Sequence, residues 1–255
     1  MSERPFSYSQ LSMFSKCPRS YYYRYEKRIY LPTPFRLLDG QCYHAAAEQG
    51  NRALLESRAL SSSQLTDAYM AKLAAGLEEQ EVSAEGGEID GAKDLAPRVL
   101  DVYERGVYRT LRPEAGGIEV RFDTTWDVGG TGVAFCGVVD MLNAGDAIVD
   151  FKAVARAHGH DQVRASPQLH LYARHFARRR VAHVQLVKKR SPDVFFVSAE
   201  PSVAQLDNSR DWAHRTITSI LACRERNDWP VCDPESWACS LRYCDYYNIC
   251  YRKGD

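Results

Sequence analysis

The spacing of apolar residues predicts helices through the first part of the chain. The first helix begins at Ser7 or Ser9, continues beyond Pro18 into the tyrosine-rich stretch at 21–25, and ends before Pro32 and Pro34. Further helices are predicted over 35–58, 65–81 and 95–111. A serine cluster at 61–64 supplies a new N-cap, and a Gly- and Glu-rich loop is expected at 83–91.

After residue 111 apolar and polar positions alternate, which is typical of strands. The pattern predicts three antiparallel strands over 118–127, 131–142 and 147–153, then a helix over 162–179, strands over 181–189 and 194–197, and a helix over 202–226. This order indicates a single α/β domain. We divide it into a mainly helical portion (1–111), a core (112–227) and a cysteine-rich tail (228–255).

Composition excludes several classes of protein. The 255 residues carry 33 basic and 33 acidic side chains, so the formal net charge is zero, and 45% are hydrophobic. That balance excludes a wholly basic nucleic-acid coat and general disorder. No apolar run approaches the roughly 18 residues of a membrane span, and the first residues lack the apolar stretch of a signal peptide. We expect a cytoplasmic protein with no membrane partner.

The chemistry centres on residues 140–152. On a strand, Asp150 and Lys152 point to one face while Val149 and Phe151 point to the other, apolar face. If residues 144–146 form a three-residue hairpin loop, Asp140 lies opposite Asp150, with about 4.5–5.5 Å between the Cβ atoms. Two such carboxylates repel each other unless a hard cation such as Mg²⁺ binds. A neighbouring lysine can then orient a water or neutralise charge on a phosphodiester.

Each piece of this arrangement also has an ordinary explanation. Chance alone gives about one acid-x-Lys triplet in such a chain, and an Asp pair at a hairpin rim is usually a solvated edge. His44 and Glu48 share a helical face, as do Gln168 and Tyr172. A histidine there is commonly a hydrogen-bonded core or surface residue, and the second pair a polar helix face. Glu119 is either a further acidic member of the site or a surface strand residue.

Taken in order, these motifs resemble the PD-(D/E)XK nuclease superfamily, in its RecB-like branch of CRISPR-associated and phage exonucleases. The resemblance spans most of the chain and joins six features: Tyr8-Ser-Gln-Leu with Cys17-Pro-Arg-Ser-Tyr, Gly40-x3-His44, Gly137-Val-Val-Asp140, Asp150-Phe-Lys152, Gln168-x3-Tyr172 and a cysteine tail. It implies a restriction-endonuclease-like core, with a central mixed β-sheet flanked by helices.

The resemblance also implies roles for single residues. His44, Asp140 and Asp150 would hold Mg²⁺ or Mn²⁺, and Lys152 would assist the attacking water. Gln168 and Tyr172 would position the DNA strand. The implied activity is a metal-dependent DNA exonuclease in phage or bacterial recombination, repair or CRISPR adaptation, with a protein partner from that pathway. The alternative is a catalytically idle iron–sulfur DNA-binding subunit of a larger helicase–nuclease or recombination complex, which the intact Asp140, Asp150 and Lys152 set disfavours.

Eight cysteines in an intracellular chain favour metal binding over disulfides. Cys42, Cys136 and Cys223 sit singly among apolar neighbours, whereas four cysteines crowd between 232 and 250. In iron–sulfur members of the resembled branch, one early cysteine followed by proline joins three tail cysteines around a 4Fe–4S cluster. Cys17, Cys239, Cys244 and Cys250 fit those positions, with Cys232 as a possible substitute. Zinc and unligated thiols are the alternatives.

We expect the nuclease to prefer a substrate with a free end, because of the mainly helical portion (1–111). Its length would let it roof the hairpin and form a channel for ends and single strands. The stretch 21–28 could supply base stacking or belong to the core. Phosphate contacts are expected from a groove of basic residues, which otherwise would be solvated helix faces: Arg19, Arg24, Lys27, Arg28, Arg164 and Arg178–Arg180.

Overall fold

The computed structural model of the chain describes residues 4–251. Residues 1–3 of the predicted helical portion and residues 252–255 of the predicted cysteine-rich tail lie outside the described residues. The helices are α1 (Tyr8–Lys16), α2 (Pro18–Tyr21), α3 (Phe35–Leu55), α4 (Ser62–Glu79), α5 (Glu88–Arg105), α6 (His160–Arg164), α7 (Pro167–His175), α8 (Val203–Arg226) and α9 (Tyr247–Tyr251). The strands are β1 (Phe6–Ser7), β2 (Thr33–Pro34), β3 (Val82–Ser83), β4 (Pro113–Val128), β5 (Thr131–Asn143), β6 (Ala147–Val154), β7 (Arg180–Val187) and β8 (Asp193–Ala199). None of the helices in this range is long and apolar enough to cross a membrane.

The chain forms two compact units. The larger unit contains residues 32–121 and 138–206, and the smaller unit contains, among the described residues, 4–31, 122–137 and 207–251. In the larger unit β5 pairs antiparallel with β6, β6 pairs parallel with β7, and β7 pairs antiparallel with β8. In the smaller unit β1 pairs parallel with β5 through Phe6 and Phe135. The mixed sheet with its helices confirms the predicted α/β class.

The apolar core of the larger unit lies on one face of its sheet. Val149 and Phe151 of β6 and Val184 of β7 are buried there among side chains of α3, α4 and α5. This is the face that strand alternation predicted to be apolar. Helix α7 packs against β6 and β7, and its buried residues are not part of this core. Since successive side chains alternate in a strand, Asp150 and Lys152 project toward the opposite, α7 side of the sheet.

Helix boundaries follow local signals, and three predictions need correction. Ser61 and Gln64 form a capping box at the start of α4, as the serine cluster predicted. Helix α5 begins at Glu88, inside the predicted loop 83–91, and ends at Arg105 rather than 111. The predicted single helix 162–179 is two helices, because Pro167 occupies the first turn of α7 and Ser166 caps it. The two-residue strands β1, β2 and β3 were not predicted.

Two buried tyrosines allow a test of the packing between helices. Tyr108 Oη donates to the Gly50 carbonyl at 2.9 Å and accepts from the Leu60 amide at 3.0 Å, both buried. Tyr103 Oη is buried and has no hydrogen-bond partner among the described residues. We expect Tyr108→Phe to lower the free energy of unfolding by about 1–3 kcal/mol, because it leaves the buried Leu60 amide without its acceptor, whereas Tyr103→Phe leaves it unchanged or higher. Urea unfolding of both variants checks this, and equal losses would contradict the hydrogen-bond assignment.

Candidate active site

The hairpin of β5 and β6 brings Asp140 and Asp150 together. Its ladder runs from Asn143 opposite Ala147 to Met141 opposite Val149, so residues 144–146 form the expected three-residue loop. Asp140 and Asp150 are the next positions, where the ladder ends. The Phe151 amide donates instead to Asp140 Oδ2 at 2.7 Å. The Asp140 carboxylate thus replaces a backbone acceptor and is fixed beside the Asp150 strand.

Lys152 and His44 complete the group. Lys152 Nζ donates to Asp150 Oδ1 at 3.1 Å and lies 2.9 Å from Oδ2 as an ion pair. His44 on α3 places Nδ1 3.4 Å from Asp140 Oδ2. Its ring meets the Phe151 ring edge-on, with the centroids 6.5 Å apart. The structure therefore brings four of the predicted site residues together.

Negative charge accumulates at this point. Burial, reinforced by the Asp150 carboxylate, raises the pKa of Asp140 to about 6, although His44, the Phe151 amide and Lys152 oppose the shift. Burial, with Asp140 and then Glu48 next in importance, raises the pKa of Glu119 to about 7. Glu119 also has a positive φ of 49°, which is uncommon for a residue other than glycine. A cation would relieve the repulsion between these carboxylates.

The residue types fit a hard divalent cation. Asp150 Oδ2 is buried, and its neighbour at 2.9 Å is Lys152 Nζ, an ion pair that does not have hydrogen-bond geometry, so this oxygen keeps a lone pair for a ligand. Carboxylate oxygens with one imidazole nitrogen are a donor set for Mg²⁺ or Mn²⁺. As the side chains stand, no group of three His, Cys, Asp or Glu residues within 4–251 is arranged to hold a metal ion.

An open cavity of about 880 Å³ in the larger unit adjoins the group. His44 and Lys152 line it together with Glu48 and Glu119, whereas the half-buried Asp140 and the buried Asp150 are not part of its lining. Its remaining charged lining is basic and comes from three different elements: Arg36 of α3, Lys72 of α4 and Arg121 of β4. The cavity therefore joins an acidic centre to basic walls.

Gln168 and Tyr172 lie outside this cavity. They are one turn apart on α7, which packs on β6 and β7 from the side toward which Asp150 projects. Tyr172 is buried and Gln168 is half-buried. The structure thus keeps them near the Asp150 strand but does not bring them into the cavity with His44 and Lys152.

Two buried polar residues of β7 were not predicted. His183 pairs in register with Asp150, its Nε2 is 3.7 Å from Asp150 Oδ2, and burial lowers its pKa to about 4. Gln185 pairs with Lys152 and binds the His158 backbone with both ends of its amide, at 2.5 and 3.0 Å. The signal was present in the sequence, because both residues interrupt an otherwise apolar strand at alternate positions.

The basic residues that were predicted to form a groove are not the basic residues that line the cavity. Most of the arginines of the predicted groove have carboxylate partners within the chain: Arg164 with Asp161, Arg178 with Glu114, Arg179 with Asp146 and Arg180 with Glu200. Tyr21 of the aromatic stretch is fully buried and stacks on Trp229, with the ring centroids 5.7 Å apart. That ring belongs to the core of the smaller unit and is not exposed to a strand of DNA.

A second cluster lies in the smaller unit, where five cysteines line one cavity: Cys17, Cys232, Cys239, Cys244 and Cys250. Burial raises the pKa of the Cys17 thiol, but hydrogen bonds with Ser20 and Cys232 outweigh it and leave that pKa lowered. Burial and the neighbouring Cys17 and Cys239 raise the pKa of Cys232 to about 12. All eight cysteines are free of disulfides. A donor set made only of sulfur fits iron–sulfur or zinc chemistry.

Comparison with known proteins agrees with this arrangement. The model of the PD-(D/E)XK nuclease superfamily matches residues 5–251. A solved structure of a candidate exonuclease from Eubacterium rectale is 14% identical with a TM-score of 0.57, covering 92% of this chain and 86% of that one, which shows a shared fold. The structure of SSO0001 is 15% identical with a TM-score of 0.46, covering 100% of this chain and 90% of that one. No curated protein matches. Because the family model spans nearly the whole described chain, the chain belongs to the PD-(D/E)XK nuclease superfamily.

Proposed function

We propose that the chain is a Mg²⁺- or Mn²⁺-dependent DNA exonuclease of the cytoplasm that hydrolyses phosphodiester bonds. The observation that carries the proposal is the convergence of His44 and Lys152 on the paired carboxylates Asp140 and Asp150. A structural role alone does not explain the buried carboxylate of Asp150 beside the half-buried carboxylate of Asp140 at the end of a ladder, since their mutual repulsion and desolvation oppose folding.

Each residue then has a distinct task. Asp140, Asp150 and His44 would hold the metal, which supplies Lewis-acid activation of the phosphate and of a water nucleophile. Lys152, held by Asp150, orients that water and neutralises charge that develops on the phosphate oxygens. Gln168 and Tyr172 would position the DNA strand from α7. The chain would act in phage or bacterial recombination, repair or CRISPR adaptation, and its protein partner would belong to that pathway.

The smaller unit would hold a 4Fe–4S cluster on Cys17, Cys239, Cys244 and Cys250. Support comes from the shared cavity and from the lowered pKa of Cys17, which favours its thiolate. Cys232 contacts both Cys17 and Cys239 and remains the substitute ligand, and Zn²⁺ the alternative ion. Hydrolysis needs no electron transfer, so the cluster would serve to join the tail to the start of the chain.

The walls of the cavity support a preference for DNA ends. The cavity is open to solvent, but two helices, α3 and α4, and two strands, β4 and β6, contribute to its lining, so a DNA strand entering it meets protein on more than one side. We expect linear single-stranded DNA to be degraded at least tenfold faster than a covalently closed circle of the same sequence, with Mn²⁺ present. Release of labelled nucleotides measures both rates, and Lys152→Ala protein controls for contaminating nucleases. Equal rates on both substrates would show an end-independent site and leave the metal assignment untouched.

A further inference from the structure

Gly40 lies at a position where glycine is unfavourable, and no contact within the protein explains why the residue is glycine. It lies in the interior of α3, where glycine costs about 1 kcal/mol relative to alanine. Its φ is not positive, and a Cβ built on it would meet no atom within 4 Å. Gly50 of the same helix is different, because a Cβ there would lie 2.9 Å from Tyr108 Cε2. Packing therefore explains Gly50 and does not explain Gly40.

The open space at Gly40 is the cavity beside the carboxylates. Gly40 lines it between Arg36, one helical turn earlier, and His44, one turn later. At 1.5 Å per residue, the stretch from Arg36 to His44 spans about 12 Å of helix. A ligand lying along this face would meet the helix backbone directly at Gly40, where a side chain would hold it away.

The charges indicate what that ligand is. At the His44 end the carboxylates gather, since Glu48 and Glu119 line the cavity beside His44, and Asp140 Oδ2 lies 3.4 Å from His44 Nδ1. Arg36 lies at the other end of the face, and Lys72 of α4 lines the same cavity. A ligand on this face would extend from the metal-binding centre to the two cationic side chains and would contact the backbone of α3 at Gly40. A polyanion such as the sugar–phosphate backbone of DNA has this chemistry.

We propose that the α3 face formed by Arg36, Gly40 and His44 is a phosphate track, on which a phosphate neighbouring the scissile one lies against the helix at Gly40 and is bound by Arg36 and Lys72. This assignment rests on the proposed nuclease function and adds the position of the strand. The absence of a side chain at residue 40 is then a binding feature, and the lost helix stability is its consequence.

The test compares Gly40→Ala with Gly91→Ala. Gly91 lies in α5, is exposed, and a Cβ there also meets no atom within 4 Å, but it does not line the cavity. Both substitutions remove an unfavourable helical glycine, so both should raise the melting temperature, by up to about 2–4 °C. Only Gly40→Ala should weaken binding of a fluorescein-labelled single-stranded oligonucleotide, by about tenfold in fluorescence anisotropy with EDTA present. In the nuclease assay it should raise KM and leave kcat within twofold.

Arg36→Gln provides an independent arm. It should weaken oligonucleotide binding and reduce the slope of log affinity against log salt concentration by about 1, as the loss of one phosphate contact requires. Gly40→Ala protein that binds like Gly91→Ala protein, or that is less stable than wild type, would overturn the proposal. So would an unchanged salt slope in Arg36→Gln. Because binding is measured without cleavage, an inactive wild type would remove the proposed function while the track remained testable.

Discussion

Asp150→Asn protein is expected to lose DNA cleavage by at least about a thousandfold, which corresponds to roughly 4 kcal/mol of transition-state stabilisation. Asparagine keeps the shape of the side chain but removes the charge that binds the cation. Asp140→Asn and Lys152→Ala should cause comparable losses, because they remove the second carboxylate and the cation that orients the water. The measurement is turnover of labelled linear DNA at saturating Mg²⁺ or Mn²⁺.

These losses should occur without unfolding. In Asp140→Asn the amide oxygen can still accept from the Phe151 amide, and removing either charge relieves the repulsion between Asp140 and Asp150. We therefore expect the melting temperatures of the two asparagine variants to equal or exceed that of the wild type, whereas Lys152→Ala, which removes the ion-pair partner of Asp150, should fold with a lower melting temperature. Asp193→Asn is the matched control, since Asp193, the first residue of β8, forms an exposed ion pair with Lys189. Any of the three site variants that retained wild-type turnover would exclude that residue from the site.

The second large effect concerns the cysteine cluster. Cys17→Ser and Cys244→Ser should each remove the bound iron and lower the melting temperature to a similar extent, although the residues are 244 − 17 = 227 positions apart. A link across so long a loop restricts the unfolded chain, with a stabilisation on the order of 5 kcal/mol by the loop-closure relation for covalent cross-links. Iron and zinc content of anaerobically purified protein, together with thermal unfolding, measures both effects.

Cys223→Ser is the control for this pair, because Cys223 lies on α8 in the same unit and does not line the cysteine cavity. It should keep full iron content. Cys232→Ser separates the two possible ligand sets, since loss of iron there would make Cys232 a ligand. Colourless, iron-free wild-type protein from an anaerobic preparation, or a Cys17→Ser variant with full iron content, would contradict the iron–sulfur assignment.

The hairpin that carries the site could be predicted because every step is local. Alternation fixes which face Asp150 and Lys152 occupy, and the three-residue loop at 144–146 sets the register that places Asp140 next to Asp150. Gly145 and Asp146 both have positive φ, and a left-handed residue is characteristic of such loops. The proximity of His44 did not follow from local rules, because α3 is brought to the sheet by packing, and only the family resemblance supplied it.

Other features depend on partners that sequence spacing does not reveal. The arginines at 178–180 read as a basic patch, but each meets a carboxylate from a distant part of the chain. His183 could have been singled out as a polar residue in an apolar strand, yet its proximity to Asp150 requires the parallel pairing of β6 with β7. The two-residue strands are too short for any periodicity to indicate them.

The central claim is that a divalent cation bound at the Asp140–Asp150 pair drives DNA hydrolysis. The most direct test follows release of nucleotides from labelled linear DNA by anaerobically purified wild-type protein, first with Mn²⁺ or Mg²⁺, then with excess EDTA, then after the metal is restored. We predict degradation that stops with EDTA and resumes with metal. Degradation that continues in EDTA, or no degradation with either metal by folded protein, would contradict the account.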